Sequence, residues 1–256
     1  MPTLVFLPGT LCDARVWQPV ADRLDTRCPK HFVDYADADR IPAMAQMALG
    51  KTHGPIIPIG VSMGGMVALE MWQQAPERIA ALALFDTNPG DDVEARRLAR
   101  DHQLVEARAL GANGLRTLVL THLIPNYFAS RSRGLDDLSP KNAALAEVVL
   151  AMALDCGMEM LARQWAALAV RQNCWPLLSM IEKPTLIGCG AHDQLCPAEQ
   201  HRRMASLITG STLLVVDAAG HLAPLEAPDV TAAAIQSLIT TTSGRVQKKM
   251  PQDARV

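Results

Sequence analysis

The chain has 256 residues, 49% hydrophobic and 20% charged, a balance that excludes a disordered or fibrous protein and fits one large globular domain with room for an insertion. Lys and Arg number 24 against 26 Asp and Glu, a formal charge of −2, so no basic footprint exists for a nucleic-acid backbone. No stretch approaches the roughly 20 apolar residues that span a bilayer, and the opening Met-Pro-Thr-Leu-Val-Phe-Leu-Pro has no cationic segment ahead of its short apolar run, so neither a membrane span nor a secretory leader is expected.

Short apolar runs at residues 4–7, 32–35, 56–59, 79–85, 185–189 and 212–217 read as buried strands, and segments of helical period alternate with them. That alternation predicts an α/β fold, a mostly parallel sheet of about six strands covered by helices on both faces. Trp17, Val20 and Leu24 share one helical face, as do Met63, Val67 and Met71, and both faces are expected against the sheet. After Phe85 the rhythm stops for roughly ninety residues, too long for a loop in a compact domain. Helical patterns at 93–110, 145–154 and 158–170 fill the gap, so the chain divides into a core domain (1–90 and 183–242) and an inserted helical cap (91–182). Residues 126–140, with Ser130, Ser132 and Gly134, read as a mobile loop, and 243–256 as a flexible C-terminal tail.

Directly after the third run stands Gly60-Val61-Ser62-Met63-Gly64, Gly-x-Ser-x-Gly between strand and helix. Such a turn strains the serine backbone, and glycines flank it because side chains would collide with strand and helix. Ser62 then projects at a helix N-terminus, where free N–H groups favour developing negative charge. The bland alternative is a flexible turn ahead of a helix. A serine hydroxyl is a poor nucleophile at neutral pH and needs a histidine base oriented by an acid. Of seven histidines, His221 follows the last strand run in a glycine-bearing loop, and Asp193 follows the run before it. Ligands gather at this edge of an open sheet, and Ser62, Asp193, His221 is the chain order of this elbow type.

These pieces, with Val5-Phe6-Leu7-Pro8-Gly9-Thr10, Ala75-Pro76-Glu77-Arg78-Ile79, Gly190-Ala191-His192-Asp193 with Pro197, and Gly220-His221, resemble the α/β-hydrolase family over almost the whole chain, most of all its small esterase-like members. The resemblance implies Ser62 as nucleophile, His221 as general base, Asp193 as the acid that orients it, and a lid domain at the insertion. The oxyanion hole of this fold uses the N–H after the nucleophile and one from the loop after the first central strand, here Met63 and Thr10. Relatives usually carry His-Gly where this chain has Pro8-Gly9, so that histidine's hydrogen bonds are missing, and Leu11 is a substitute donor. Asp34-Tyr35-Ala36-Asp37 also departs from the family's Pro-Gly-x-Gly.

Rival assignments accompany this reading. Asp86 stands where some family members place the triad acid, or else caps the turn that follows it. Cys189, His192, Cys196 and His201 invite a metal site, though their spacing is looser than strong zinc patterns. Cys12 lies near the oxyanion loop with nothing to mark it as an activated thiol. Leu11, Leu222 and Trp165 are expected to bind substrate. Arg131 and Arg133 could pair with a substrate carboxylate, and Met152, Met158, Met160 and Leu161 could line the lid or simply pack helix on helix. The six scattered cysteines include no Cys-x-x-Cys pair and read as reduced thiols in cytoplasm. The expectation is a carboxylesterase acting through an acyl-enzyme on a small-molecule ester, a monomer or homodimer with no metal or other cofactor. Lactone, thioester or C–C bond hydrolysis is the alternative with the same groups, and a ligand receptor or cofactor-independent oxygenase on this fold is the alternative of another class. A structural or partner-binding module would need a charge run, repeat or heptad that the chain lacks.

Overall fold

A computed structural model describes residues 1–128 and 138–249, with side chains described as far as residue 243. The chain runs β1 (Thr3–Leu7), α1 (Gln18–Ala21), β2 (Lys30–Phe32), α2 (Ile41–Gly50), β3 (Ile56–Val61), α3 (Met63–Gln74) and β4 (Leu82–Phe85). It then forms α4 (Glu94–Ala109), α5 (Gly114–Leu118), α6 (Ile124–Tyr127) and α7 (Pro140–Ala169) before returning as β5 (Thr185–Gly190), α8 (Ala198–Leu207), β6 (Thr212–Val216), α9 (Ala223–Glu226) and α10 (Pro228–Lys249). One sheet of six strands results, in the order β2-β1-β3-β4-β5-β6, every pairing parallel. β3, β4 and β5 are buried throughout while β2 and β6 are half exposed, as expected when helices cover both faces and only the edges meet water. Trp17, Val20 and Leu24 are all buried, and so are Met63, Val67 and Met71.

Several expected boundaries move. The run at 32–35 shares only Phe32 with β2, because the ladder with β1 is set by Leu4 opposite Lys30. Val33 and Tyr35 are apolar because they pack under the strand end, where the Tyr35 hydroxyl donates to the Pro8 carbonyl (3.1 Å). In the run at 79–85 the strand begins at Leu82, and Ile79 makes only an isolated bridge with Ile56. Within α7 two helices meet at Gly157, whose φ of 82° lies outside the helical region, so the separate helical runs at 145–154 and 158–170 stand as expected. At the C-terminus α10 continues through Ser243 to Lys249, helical where a tail was expected, and 250–256 lie outside the described residues. Of the loop expected at 126–140, Asn126 closes α6 and Pro140 opens α7, while 129–137, including Arg131 and Arg133, lie outside the described residues.

The sheet order reverses direction between β1 and β3, and a crevice opens there at the C-terminal edge, the place where open parallel sheets gather functional groups. Thr10 follows β1, Ser62 follows β3, Asp86 follows β4, Asp193 follows β5 and His221 follows β6. Among the described residues, the segment between β4 and β5 carries helices and no strand.

Candidate active site

The turn after β3 holds Ser62 at φ 55°, ψ −120°, a region that costs a residue with a side chain and persists only where its surroundings impose it. Those surroundings explain the glycines. A Cβ on Gly60 would stand 2.2 Å from the Gly64 carbonyl oxygen, and one on Gly64 would stand 2.1 Å from that of Leu7, so strand, turn and helix approach closely only without side chains here. The Ser62 N–H donates to Phe85 O (2.9 Å), and the Thr87 hydroxyl donates to Ser62 O (2.7 Å), tying the strained turn to the end of β4.

His221 lies between two partners. Its Nε2 is 3.0 Å from Ser62 Oγ and its Nδ1 is 2.9 Å from Asp193 Oδ2. Because an ionised carboxylate only accepts, Asp193 fixes the proton on Nδ1 and leaves Nε2 free to accept from the serine hydroxyl. Burial raises the Asp193 pKa, but the charge and hydrogen bond of His221 and the N–H groups of Cys196 (2.9 Å) and Leu195 (2.8 Å) outweigh it and hold the carboxyl below its ordinary value. The histidine loop is held from two directions. Glu226 accepts from the N–H of Gly220 (2.8 Å) and of Leu222 (3.3 Å), and the Tyr127 carbonyl accepts the His221 N–H (2.6 Å) with the two rings 5.5 Å apart. The sequence reading missed both residues. Glu226 had no spacing signal, and Tyr127 reaches the site from the insertion.

The loop after β1 is ordered without the histidine that relatives usually carry. Trp17 Nε1 donates to Leu7 O (3.0 Å), Tyr35 holds Pro8 O, and the Leu11 N–H, on a residue at φ 53°, donates to Gln164 Oε1 of α7 (2.8 Å). This corrects the role expected of Leu11. Its N–H is already engaged by a buried amide and cannot serve a developing oxyanion. Among the described residues the N–H groups of Thr10 and Met63 are given to no protein acceptor, and Thr10 Oγ1 lies 3.9 Å from Met63 Sδ.

A cavity of about 270 Å³ opens over Ser62 and His221, walled by Thr10, by Trp165 and Leu168 of α7, by Leu123, and by one face of α4. Trp165 therefore lines the cavity over Ser62. Leu11 and Leu222 are buried instead beside the loops they belong to and do not line this cavity. Met152 and Leu161 are fully buried in helix packing. A smaller cavity of about 130 Å³ behind Asn88 and Arg171 touches neither Ser62 nor His221.

Asp86 neither orients His221 nor caps its own turn. Its Oδ1 accepts from Gly190 N–H (2.9 Å) and its Oδ2 from Ala223 N–H (3.0 Å), stitching the ends of β4, β5 and α9 together. Burial and the neighbouring Asp193 push its pKa up. The ligand set weighed from spacing does not assemble either. His201 is buried with Nε2 accepting the Thr87 N–H (3.0 Å) and Nδ1 3.2 Å from Pro197 O. Asp193, Cys196 and His221 do bring ligand atoms within 4.8 Å of one another, but that carboxylate is already taken by His221 and two backbone N–H groups. All six cysteines are free. Burial pushes the thiols of Cys12 and Cys196 up, the opposite of an activated nucleophile. Among the described residues no helix is long and apolar enough to cross a membrane.

Comparison with known proteins agrees with this fold. A family model described as alpha/beta hydrolase fold matches residues 26–228. A biotin biosynthesis bifunctional protein from Cellvibrio japonicus is 28% identical over 95 residues, a match that takes in 34% of this chain and 19% of that protein. A pimeloyl-[acyl-carrier protein] methyl ester esterase from Edwardsiella ictaluri is 24% identical over 255 residues, covering 91% of each chain. A thermophilic esterase from Thermogutta terrifontis superposes with a TM-score of 0.80 at 24% identity, over 94% of this chain and 90% of that one. At that identity the likeness shows the fold.

Proposed function

The chain belongs to the α/β-hydrolase fold family, and from that membership we propose that it is a serine hydrolase of carboxylic esters working through an acyl-enzyme. The observation that carries the proposal is a single imidazole shared between a buried carboxylate and the hydroxyl of a strained serine (2.9 and 3.0 Å). Ser62 Oγ attacks the ester carbonyl as His221 Nε2 takes its proton, and Asp193 stabilises the imidazolium and keeps the ring oriented. The N–H groups of Thr10 and Met63 receive the negative charge that grows on the carbonyl oxygen. Collapse of the tetrahedral intermediate breaks the bond to the alcohol, which leaves with the proton from His221. Water, deprotonated by the same ring, attacks the acyl-enzyme and releases the acid, so that ester and water become acid and alcohol. No metal or organic cofactor takes part in this scheme.

That a relative covering 91% of this chain is a methyl ester esterase supports a carboxylic ester as the bond cleaved. The helical insertion acts as a cap that contributes Trp165 to the substrate cavity, and free cysteines suit a reducing compartment such as the cytoplasm. The test is reaction with a fluorophosphonate followed by mapping of the adduct, alongside turnover of p-nitrophenyl esters of increasing acyl length. A single adduct on Ser62 with turnover is expected, and a protein that neither labels nor turns over returns the reading to a receptor or oxygenase on this fold.

A further inference from the structure

The cavity over Ser62 also holds three guanidinium groups. Arg96 and Arg100 stand on the face of α4 that lines it, one helical turn apart, and Arg171 lines it from beyond the end of α7. Against these three guanidinium groups the described lining residues supply one carboxylate, Asp92.

The three arginines are not equally engaged. Arg171 is a structural residue, donating to the carbonyls of Gly90 (2.9 Å), Leu168 (2.9 Å) and Asp91 (3.1 Å). Asp92, its side chain 1% exposed, is shared by Arg171 (3.1 Å) and Arg100, so two cations divide one anion. Arg96 donates to the Leu195 carbonyl (3.3 Å) and has no acidic partner among the described residues. Burial first, and then the like charge of Arg171, pushes the Arg100 guanidinium down to about 10, still cationic at neutral pH. Arg96 is exposed at the rim of the cavity, whereas Arg100 is half-buried and shares its one anion with Arg171, and a partly desolvated cation with only half an anion is unfavourable unless a further anion completes it. The planar guanidinium fork matches a carboxylate in particular. The same cavity is also lined by Trp165, Leu123 and Leu168, apolar side chains suited to a hydrocarbon spacer, beside the polar Asn88, Gln103, His122 and Asn126.

We infer that Arg96 and Arg100 form an anion subsite, and that the ester hydrolysed here carries a free carboxylate on the side away from its reacting carbonyl, as in the half-ester of a dicarboxylic acid. The inference rests on the ester-hydrolase reading for its reaction, while the subsite itself is testable by binding alone.

The experiment compares kcat/KM for the monomethyl esters of succinic, glutaric, adipic and pimelic acids with that for the neutral half-amide of each, in the unaltered protein and in Arg96→Gln and Arg100→Gln. In parallel, calorimetry measures binding of the free dicarboxylates to Ser62→Ala with and without Arg96→Gln. The half-ester of the best-fitting length is expected to be preferred over its amide by about ten- to a hundredfold, the worth of a charged hydrogen bond, and each arginine substitution is expected to collapse that ratio towards one. Arg100→Gln leaves Asp92 to Arg171 alone and so disturbs a buried ion pair, whereas Arg96→Gln removes only its bond to the Leu195 carbonyl and keeps the test decisive. Turnover of ester and amide with equal efficiency would overturn the subsite and leave the hydrolase reading intact. Dicarboxylate binding that Arg96→Gln abolishes, in a protein that cleaves none of the esters, would uphold the subsite and reject the hydrolase. Neither binding nor turnover would reject both.

Discussion

The core and the insertion meet at one cavity but deliver their side chains by different means. From the core, Ser62, Asp193 and His221 each sit within a few residues of a strand end, so the ladder that aligns β3, β5 and β6 also aligns the groups that follow them. From the insertion, Tyr127, Gln164 and Trp165 reach the same place from helices whose position depends on how they dock on the core. The lesson is a division of labour: the sheet sets the distances between Ser62, Asp193 and His221, and the docked helices set what surrounds them.

That division can be broken most severely from the core side. Ser62→Ala is expected to lower kcat on the order of 10⁶-fold, with fluorophosphonate labelling lost and the far-UV spectrum unchanged. Asp193→Asn should cost on the order of 10⁴-fold by releasing the imidazole tautomer, measured as kcat at neutral pH. The same substitution has a stability signature. Because the folded-state pKa of Asp193 lies below its ordinary value, its contribution is fully present above the unfolded pKa and is lost as pH falls through the lowered one. Acid denaturation followed between about pH 5 and pH 2 should therefore show a weaker pH dependence in Asp193→Asn than in the unaltered protein. Equal slopes would show that the carboxylate is not held in its charged form.

Breaking the contact between the two regions gives the intermediate effect and sharpens the comparison. Gln164→Met removes the acceptor for the Leu11 N–H while keeping the volume, and kcat is expected to fall about tenfold with KM little changed, because the oxyanion loop rather than substrate binding is disturbed. Gln164→Glu keeps an acceptor and should retain more of kcat. A matched loss in both variants would assign Gln164 to packing alone. The smallest catalytic effect belongs to Asp86→Ala, which strands the N–H groups of Gly190 and Ala223 and should lower stability by about 1–3 kcal/mol in a denaturant titration. Ser62 should still label in that variant, since Asp86 touches neither His221 nor Ser62.

Much of the core was legible because its signals are local. Apolar runs between helical periods predict a parallel sheet, and the elbow glycines are dictated by backbone contacts that a Cβ would violate. Asp86 shows where locality fails. It occupies a strand end just as Asp193 does, and nothing in the surrounding residues says that its carboxylate meets Gly190 and Ala223 instead of the imidazole. The same holds at residues 32–35, whose apolar pattern marks burial but cannot say whether a ladder or a loop does the burying.

By itself, then, the sequence determined the α/β class and singled out Ser62, Asp193 and His221, which the structure brings together, since period, chain order and steric exclusion at glycine are properties of neighbouring residues. Only the tertiary structure decided that Leu11 gives its N–H to Gln164, that Tyr127 and Glu226 hold the histidine loop, and that Arg96 and Arg100 share a cavity with Ser62. Each of these pairs joins segments whose relation depends on how helices dock or loops close, and docking is fixed by the summed packing of whole surfaces, which no short stretch of residues encodes.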